Sequence, residues 1–276
     1  MLLIPARVDL VGLNMVRGDF SLVEQVRQQY QHNLKLSLSF AILLVFVFFF
    51  LRFGNMALFN GTVFFDYSFS PLAWEVALAE GLAGMVFIAM YSILLTLLLL
   101  AVRNDLSHIK VRYYLREMVQ KFFFTMFVYF VLLSAVFIGL VLIGNALGIS
   151  VAWINLVLLL LSLSLVFVPQ SLVIDEKPIW EAVQNNWYVI RRHPMDFLLV
   201  VVLATVLVGV LPLVEALIDS VVYAGRYISV LLMFVVVIPF IEILKTILYM
   251  NRFELVRGTE YAKRKHPGLG GLTIKK

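Results

Sequence analysis

The chain has 276 residues, 62% of them hydrophobic and only 14% charged, with a net charge of +5 and no cysteine. Soluble domains are about 45–50% apolar and about 25% charged, so an ordinary soluble domain is excluded. Disulfide and thiolate chemistry are excluded as well. The apolar residues gather into runs of about 20, the length that crosses a bilayer as a helix. A membrane barrel needs strands that alternate apolar and polar, and Leu94-Leu95-Thr96-Leu97-Leu98-Leu99-Leu100 does not alternate. The expected fold class is therefore all-α: a polytopic membrane helix bundle of six transmembrane helices joined by cytoplasmic amphipathic helices. Residues 1–250 form one domain that includes an amphipathic N-terminal segment, 1–33, and residues 251–276 form a basic tail.

Met1-Leu2-Leu3-Ile4 is apolar, but Pro5, Arg7 and Asp9 interrupt it before it reaches signal-peptide length, so the first span is expected to act as an internal anchor. That span is placed at 34–53. The loop from Gly54 to Glu75 carries Phe59, Phe64, Phe65, Tyr67, Phe69 and Trp74, a composition suited to the outer membrane–water boundary. Within it Asn60-Gly61-Thr62 fits the N-glycosylation acceptor pattern. Span two (76–102) holds Glu80 one turn inside its outer start, and Gly81 and Gly84 suit close helix packing. Span three (122–143) offers Ser134 and Gly139 for the same purpose. A tight turn at Gly144 to Gly148 leads to span four (151–170), where Asn155, Ser162 and Ser164 could bond across helices.

The junction that follows is the most distinctive stretch. Span four ends in Phe167-Val168-Pro169; Val173, an acidic pair Asp175-Glu176 and Pro178 come next. A helix Trp180-Glu181-Ala182-Val183-x-x-Asn186 then leads to Arg191-Arg192 and another span. In that helix Trp180, Val183, Trp187 and Ile190 form one apolar stripe at helical spacing. This order resembles a broad group of prokaryotic six-helix membrane proteins of unknown function, related to the membrane-anchor domain fused to some bacterial glycerophosphodiester phosphodiesterases. The specific match covers about 40 residues, a short stretch by the standard of repeat and motif matching. In that group the position of Asn186 is commonly serine. The fused enzymes keep their catalytic residues in a soluble barrel that has no counterpart here, so the resemblance implies a membrane module and transfers no active site.

The junction also has an internal echo. Leu22-Val23-Glu24-Gln25-Val26-Arg27-Gln28-Gln29-Tyr30 lies over Ile179-Trp180-Glu181-Ala182-Val183-Gln184-Asn185-Asn186-Trp187, and Leu106, Ile109, Tyr113 and Val119 give a weaker third copy. The unit expected is an amphipathic helix plus a transmembrane hairpin, repeated three times in a pseudo-threefold arrangement.

Spans five (195–217) and six (227–250) carry the ionisable residues that most need explaining, because charge in hydrocarbon is costly and often functional. Glu242 and Lys245 are three apart and share a face. They read either as a buried pair on an ion or substrate pathway or, the reading favoured, as Lys245 snorkelling to the inner interface with Glu242 beside it. Glu215 and Asp219 near the outer end of span five pose the same choice with Arg226. Pro169, Pro212 and Pro239 mark kinks. The four histidines show no metal-ligand spacing, and no cofactor, metal centre or catalytic constellation is expected.

Basic residues sort to one side of this arrangement. Arg103, Lys110, Arg112, Arg116, Lys121, Lys177, Arg191 and Arg192 fall there with both terminal segments, against Arg52 and Arg226 opposite. Lys- and Arg-rich short loops stay inside, so both termini are expected in the cytoplasm, in a prokaryotic plasma membrane. Anionic lipid headgroups are the expected partner of the basic cytoplasmic face, above all Lys263-Arg264-Lys265-His266 with Lys275-Lys276; Trp180, Trp187, Arg191 and Arg192 are expected at the interface, with the Trp180/Trp187 face docking lipid or the bundle. Partner membrane proteins and a homo-oligomer are compatible with the same surface, whereas nucleic acid lacks a binding module. The function expected is a non-enzymatic membrane scaffold or accessory protein; the alternative is a small transporter or channel using Glu242 and Lys245.

Overall fold

The computed structural model describes the backbone of residues 11–49, 58–59, 62–63, 74–107, 119–222 and 224–252. Helix α1 (Val11–His32) leads into a stepped helix made of α2 (Leu34–Ser39), a 3-10 turn (Phe40–Leu43) and α3 (Leu44–Phe49). Two short strands, β1 (Leu58–Phe59) and β2 (Thr62–Val63), pair antiparallel with Leu58 opposite Val63, a small departure from the all-helical expectation. Helix α4 (Trp74–Ser107) follows, then a π-helical turn (Val119–Phe123) that opens α5 (Phe124–Ala146). The rest comprises α6 (Val151–Ser164), α7 (Val168–Ile174), α8 (Ile179–Arg192), α9 (Pro194–Asp219), α10 (Gly225–Leu232), a second π-helical turn (Met233–Val237) and α11 (Ile238–Arg252).

Five segments are long and apolar enough to cross a membrane: Gly81–Ser107, Lys121–Ala146, Val151–Ile174, Pro194–Asp219 and Gly225–Asn251. They match expected spans two to six, and the chain is a multi-pass membrane protein. The first expected span is represented among the described residues by a shorter apolar helix, Leu34–Phe46, and its final residues lie outside them. Asn60, most of the third amphipathic segment and the basic tail also lie outside the described residues.

Packing divides the spans into centre and periphery. The most apolar stretches of Gly81–Ser107 and Gly225–Asn251 are 56% buried, against 28% for Lys121–Ala146 and Val151–Ile174 and 17% for Pro194–Asp219. Outward Leu and Val on the last three carry no penalty in hydrocarbon, which removes the drive to bury them. Aromatic rings knit the centre: Tyr91 stacks on Phe87 at 6.3 Å and meets Phe130 edge-on at 5.2 Å, while Phe87 meets Phe234 at 6.2 Å. At the end of the bundle away from Arg103 and Lys121, turns are tight. Gly148 takes φ +68, and Gly225 presses so close to the Glu215 carbonyl that a Cβ would lie 2.3 Å from it. Gly81 and Gly139, expected to allow close packing, face open space instead; Gly144 is the glycine that seats a neighbour, Ile154.

Pro239 explains one long-range tie. Having no N–H, it cannot bond the carbonyl four residues earlier, Val235, and a freed carbonyl inside a membrane needs another donor. The Tyr30 hydroxyl of α1 supplies it at 3.1 Å, and burial pushes the Tyr30 phenol above its usual value, so it stays a donor. Tyr30→Phe should therefore lower stability by about 1 kcal/mol, with enhanced hydrogen exchange confined to α1 and the π-helical turn. Unchanged exchange there would refute the tie.

Candidate functional site

The site is built where span four breaks. Leu165, Val166 and Phe167 leave the helix between α6 and α7, and Pro169 sits in the first turn of α7, where a missing N–H is harmless. The break frees backbone groups that hydrocarbon cannot satisfy. Two side chains take them up. Asn186 of α8 accepts from the Phe167 N–H at 2.8 Å and donates to the Ser164 carbonyl. Lys245 of α11 donates to the Val166 carbonyl at 3.2 Å. All of α7 is buried, as is Asn186.

Lys245 is held in turn by Glu242, one turn earlier, at 2.7 Å. The second carboxylate oxygen accepts from Gln170 of α7 at 2.9 Å, and the Thr246 hydroxyl bonds the Glu242 carbonyl. Neither charged side chain has any exposed surface. The favoured expectation, a lysine reaching for the interface, is thereby corrected: the broken backbone of span four is a nearer acceptor than a headgroup. Glu242 and Lys245 are a buried pair, and their partners are internal.

Below this pair the network continues to the basic end of the bundle. Asn185 lies within bonding distance of Ser171, Asp175 and Tyr249, and Tyr249 donates to Asp175 at 2.5 Å. Lys177 pairs with Asp175 at 3.5 Å. Glu176 has φ +56, a left-handed conformation unusual for a residue with a Cβ. From there its carboxylate meets Arg103 at 3.3 Å and Lys121, while Arg103 also caps the Val173 carbonyl at the end of α7 at 3.1 Å. The acidic pair of the junction thus ties α4, α5 and α11 to one short segment.

The other candidate residues fall elsewhere. Asp219 accepts from the Gly225 N–H at 2.7 Å and closes the turn between α9 and α10, with Glu215 beside it half-buried. Glu80 lies in α4, and its side chain lies outside the described residues. Asn155 is exposed, and Ser164 bonds the Leu161 carbonyl of its own helix rather than a neighbour. In α8 the bundle-facing positions are Ala182, Asn186 and Val189, with Val183 and Ile190 partly buried against the core. Trp180 and Trp187 point away from it, 71% and 45% exposed, so the expected single stripe is split between bundle and surroundings. On the outer edge the Arg191 guanidinium sits 5.8 Å from the Trp187 ring, and that of Arg192 sits 5.6 Å from Tyr188.

No family model, curated protein or solved structure matches the chain. Gln170, Asn185 and Tyr249 were not singled out by sequence reasoning, and Asn186 and Arg103 were noted only as a motif position and a basic residue. One signal was present: Glu242, Lys245, Thr246 and Tyr249 recur at i, i+3, i+4 and i+7, a polar stripe on one face of an otherwise apolar span.

Proposed function

We propose that this chain is a non-enzymatic membrane scaffold or accessory protein that engages anionic lipids and partner membrane proteins. The observation that carries the reading is the fate of the intramembrane pair. Glu242 and Lys245 bond each other, Gln170 and the Val166 carbonyl, which makes them fasteners of a broken span. The lipid-facing surface is the outer edge of α8, where two arginines lie over aromatic rings in the manner of interfacial anchors. In this reading the basic end faces the cytoplasm of a prokaryotic plasma membrane. Six spans, a threefold hairpin repeat and kinship to the membrane-anchor group complete it.

Arg191→Gln/Arg192→Gln should reduce enrichment of phosphatidylglycerol over phosphatidylcholine around the protein by about thirtyfold, since each of the two basic residues near an anionic surface contributes about 1 kcal/mol. Native mass spectrometry of the full chain released from mixed nanodiscs measures it. An unchanged lipid ratio would remove the lipid partner. A solute flux in proteoliposomes that disappears with Glu242→Gln would replace the scaffold with a carrier.

A further inference from the structure

Glu176 stands where helices usually place glycine. Helix α7 ends at Ile174 with Asp175 as its C-cap, and the next residue turns to φ +56, a conformation that a Cβ makes costly. The side chain held there is a carboxylate, and it lies between two cations from different spans. One oxygen meets both terminal nitrogens of Arg103 on α4, at 3.3 and 3.4 Å, and the other meets the Lys121 ammonium in the turn that opens α5. Each cation has a second tether that does not depend on Glu176. Arg103 also donates to the Val173 carbonyl at 3.1 Å, and the Lys121 ammonium lies 5.6 Å from the centre of the Phe122 ring. The two cations therefore keep facing one another when the carboxylate swings out.

We propose that Arg103 and Lys121 form a binding site for a phosphate group, in which the Glu176 carboxylate sits as the chain's own stand-in and competitor. A carboxylate and a phosphate both offer paired acceptor oxygens, and a guanidinium with an ammonium recognises either. Depth in the membrane favours a headgroup as the source. Arg103 lies four residues before the end of the span Gly81–Ser107, and Lys121 opens the span Lys121–Ala146, which have 27 and 26 residues. Helices of that length extend roughly 40 Å, past a hydrocarbon core of roughly 30 Å, so their ends stand among headgroups. The site is open to that layer. Lys121 is half exposed, Arg103 and Glu176 are partly exposed, and Phe124, one turn into α5, is 61% exposed. These residues are separate from Arg191 and Arg192 on α8, so the inference does not rest on the lipid reading made there.

Full-length chain in phosphatidylcholine nanodiscs doped with phosphatidic acid gives the test, read by native mass spectrometry. Glu176→Gly suits the left-handed backbone and vacates the site. It should retain about ten times more phosphatidic acid than the parent, the gain expected where the vacant form is about a tenth of the parent population. Adding Lys121→Gln should remove the gain. Glu24→Gln deletes an exposed carboxylate on α1 and should leave retention at the parent level, which controls for net charge. Inorganic phosphate separates the sources: displacement of the lipid by it supports the site with a soluble phosphate as ligand, and indifference to it supports the site with a headgroup as ligand. The parent gives a check that needs no variant, because phosphatidic acid should raise hydrogen exchange at residues 175–177 as it displaces the carboxylate. That measurement decides the matter where Glu176→Gly folds badly. No gain in a folded Glu176→Gly, an equal gain in Glu24→Gln, or exchange at 175–177 that ignores phosphatidic acid overturns the proposal and leaves Glu176 a structural clip.

Discussion

Lys245→Met is expected to lower the stability of the bundle by about 3–5 kcal/mol, the loss seen when one member of a buried ion pair is removed. The substitution leaves the buried Glu242 with the Gln170 amide but without the Lys245 counter-charge, and it removes the Lys245 donor from the Val166 carbonyl. Glu242→Gln should destabilise as well, because Lys245 then stays charged in a site with no exposed surface. The double variant Glu242→Gln/Lys245→Met should recover most of the loss, since no uncompensated charge remains. A lysine that snorkelled would behave differently: methionine at that position would be nearly neutral, and the two substitutions would add. Equilibrium unfolding of the four proteins in bicelles, read as a double-mutant cycle, separates the cases. A loss below about 1 kcal/mol for Lys245→Met would falsify the fastener role.

Why the spans were legible and the fastener was not follows from range. A run such as Leu94 to Leu100 declares a span through its own residues, because hydrocarbon demands an apolar helix whatever the neighbours do. Ser164, Asn186 and Lys245 come from three separate helices, and nothing within any one window says that they meet. Span four is expected to end at residue 170; only packing shows that α7, with Gln170 and Ser171, is buried along its whole length. Trp180 and Trp187 misled for a related reason. Helical spacing places them beside Val183 and Ile190, but a stripe has two edges, and spacing cannot tell which edge faces the bundle. The likeness of residues 22–30 to 179–187 has the same limit. Tyr30 is turned inward to a freed carbonyl, whereas Trp187 at the equivalent position is 45% exposed.

Asn186→Ala should cost about 2–4 kcal/mol, because it abandons two backbone groups at once, the Phe167 N–H and the Ser164 carbonyl, beside a fully buried side chain. The chemistry of replacements orders the series. Asn186→Asp keeps an acceptor for Phe167 and loses the donor to Ser164, while adding a charge to a residue with no exposed surface; it should be at least as harmful as alanine. Asn186→Ser retains one hydroxyl able to donate or accept, so it should fall between the parent and alanine. Hydrogen exchange at residues 164–168 is the local readout, since each substitution should raise exchange there before it does so in α4 or α11. Equal protection in Asn186→Ala and the parent would mean the break is closed by something else. A uniform rise across the whole bundle would mean that α8 acts as a general support rather than as a latch on span four. The expected gradient, largest at Phe167 and fading toward the ends of α6 and α7, belongs only to a side chain that completes a helix its own backbone leaves open.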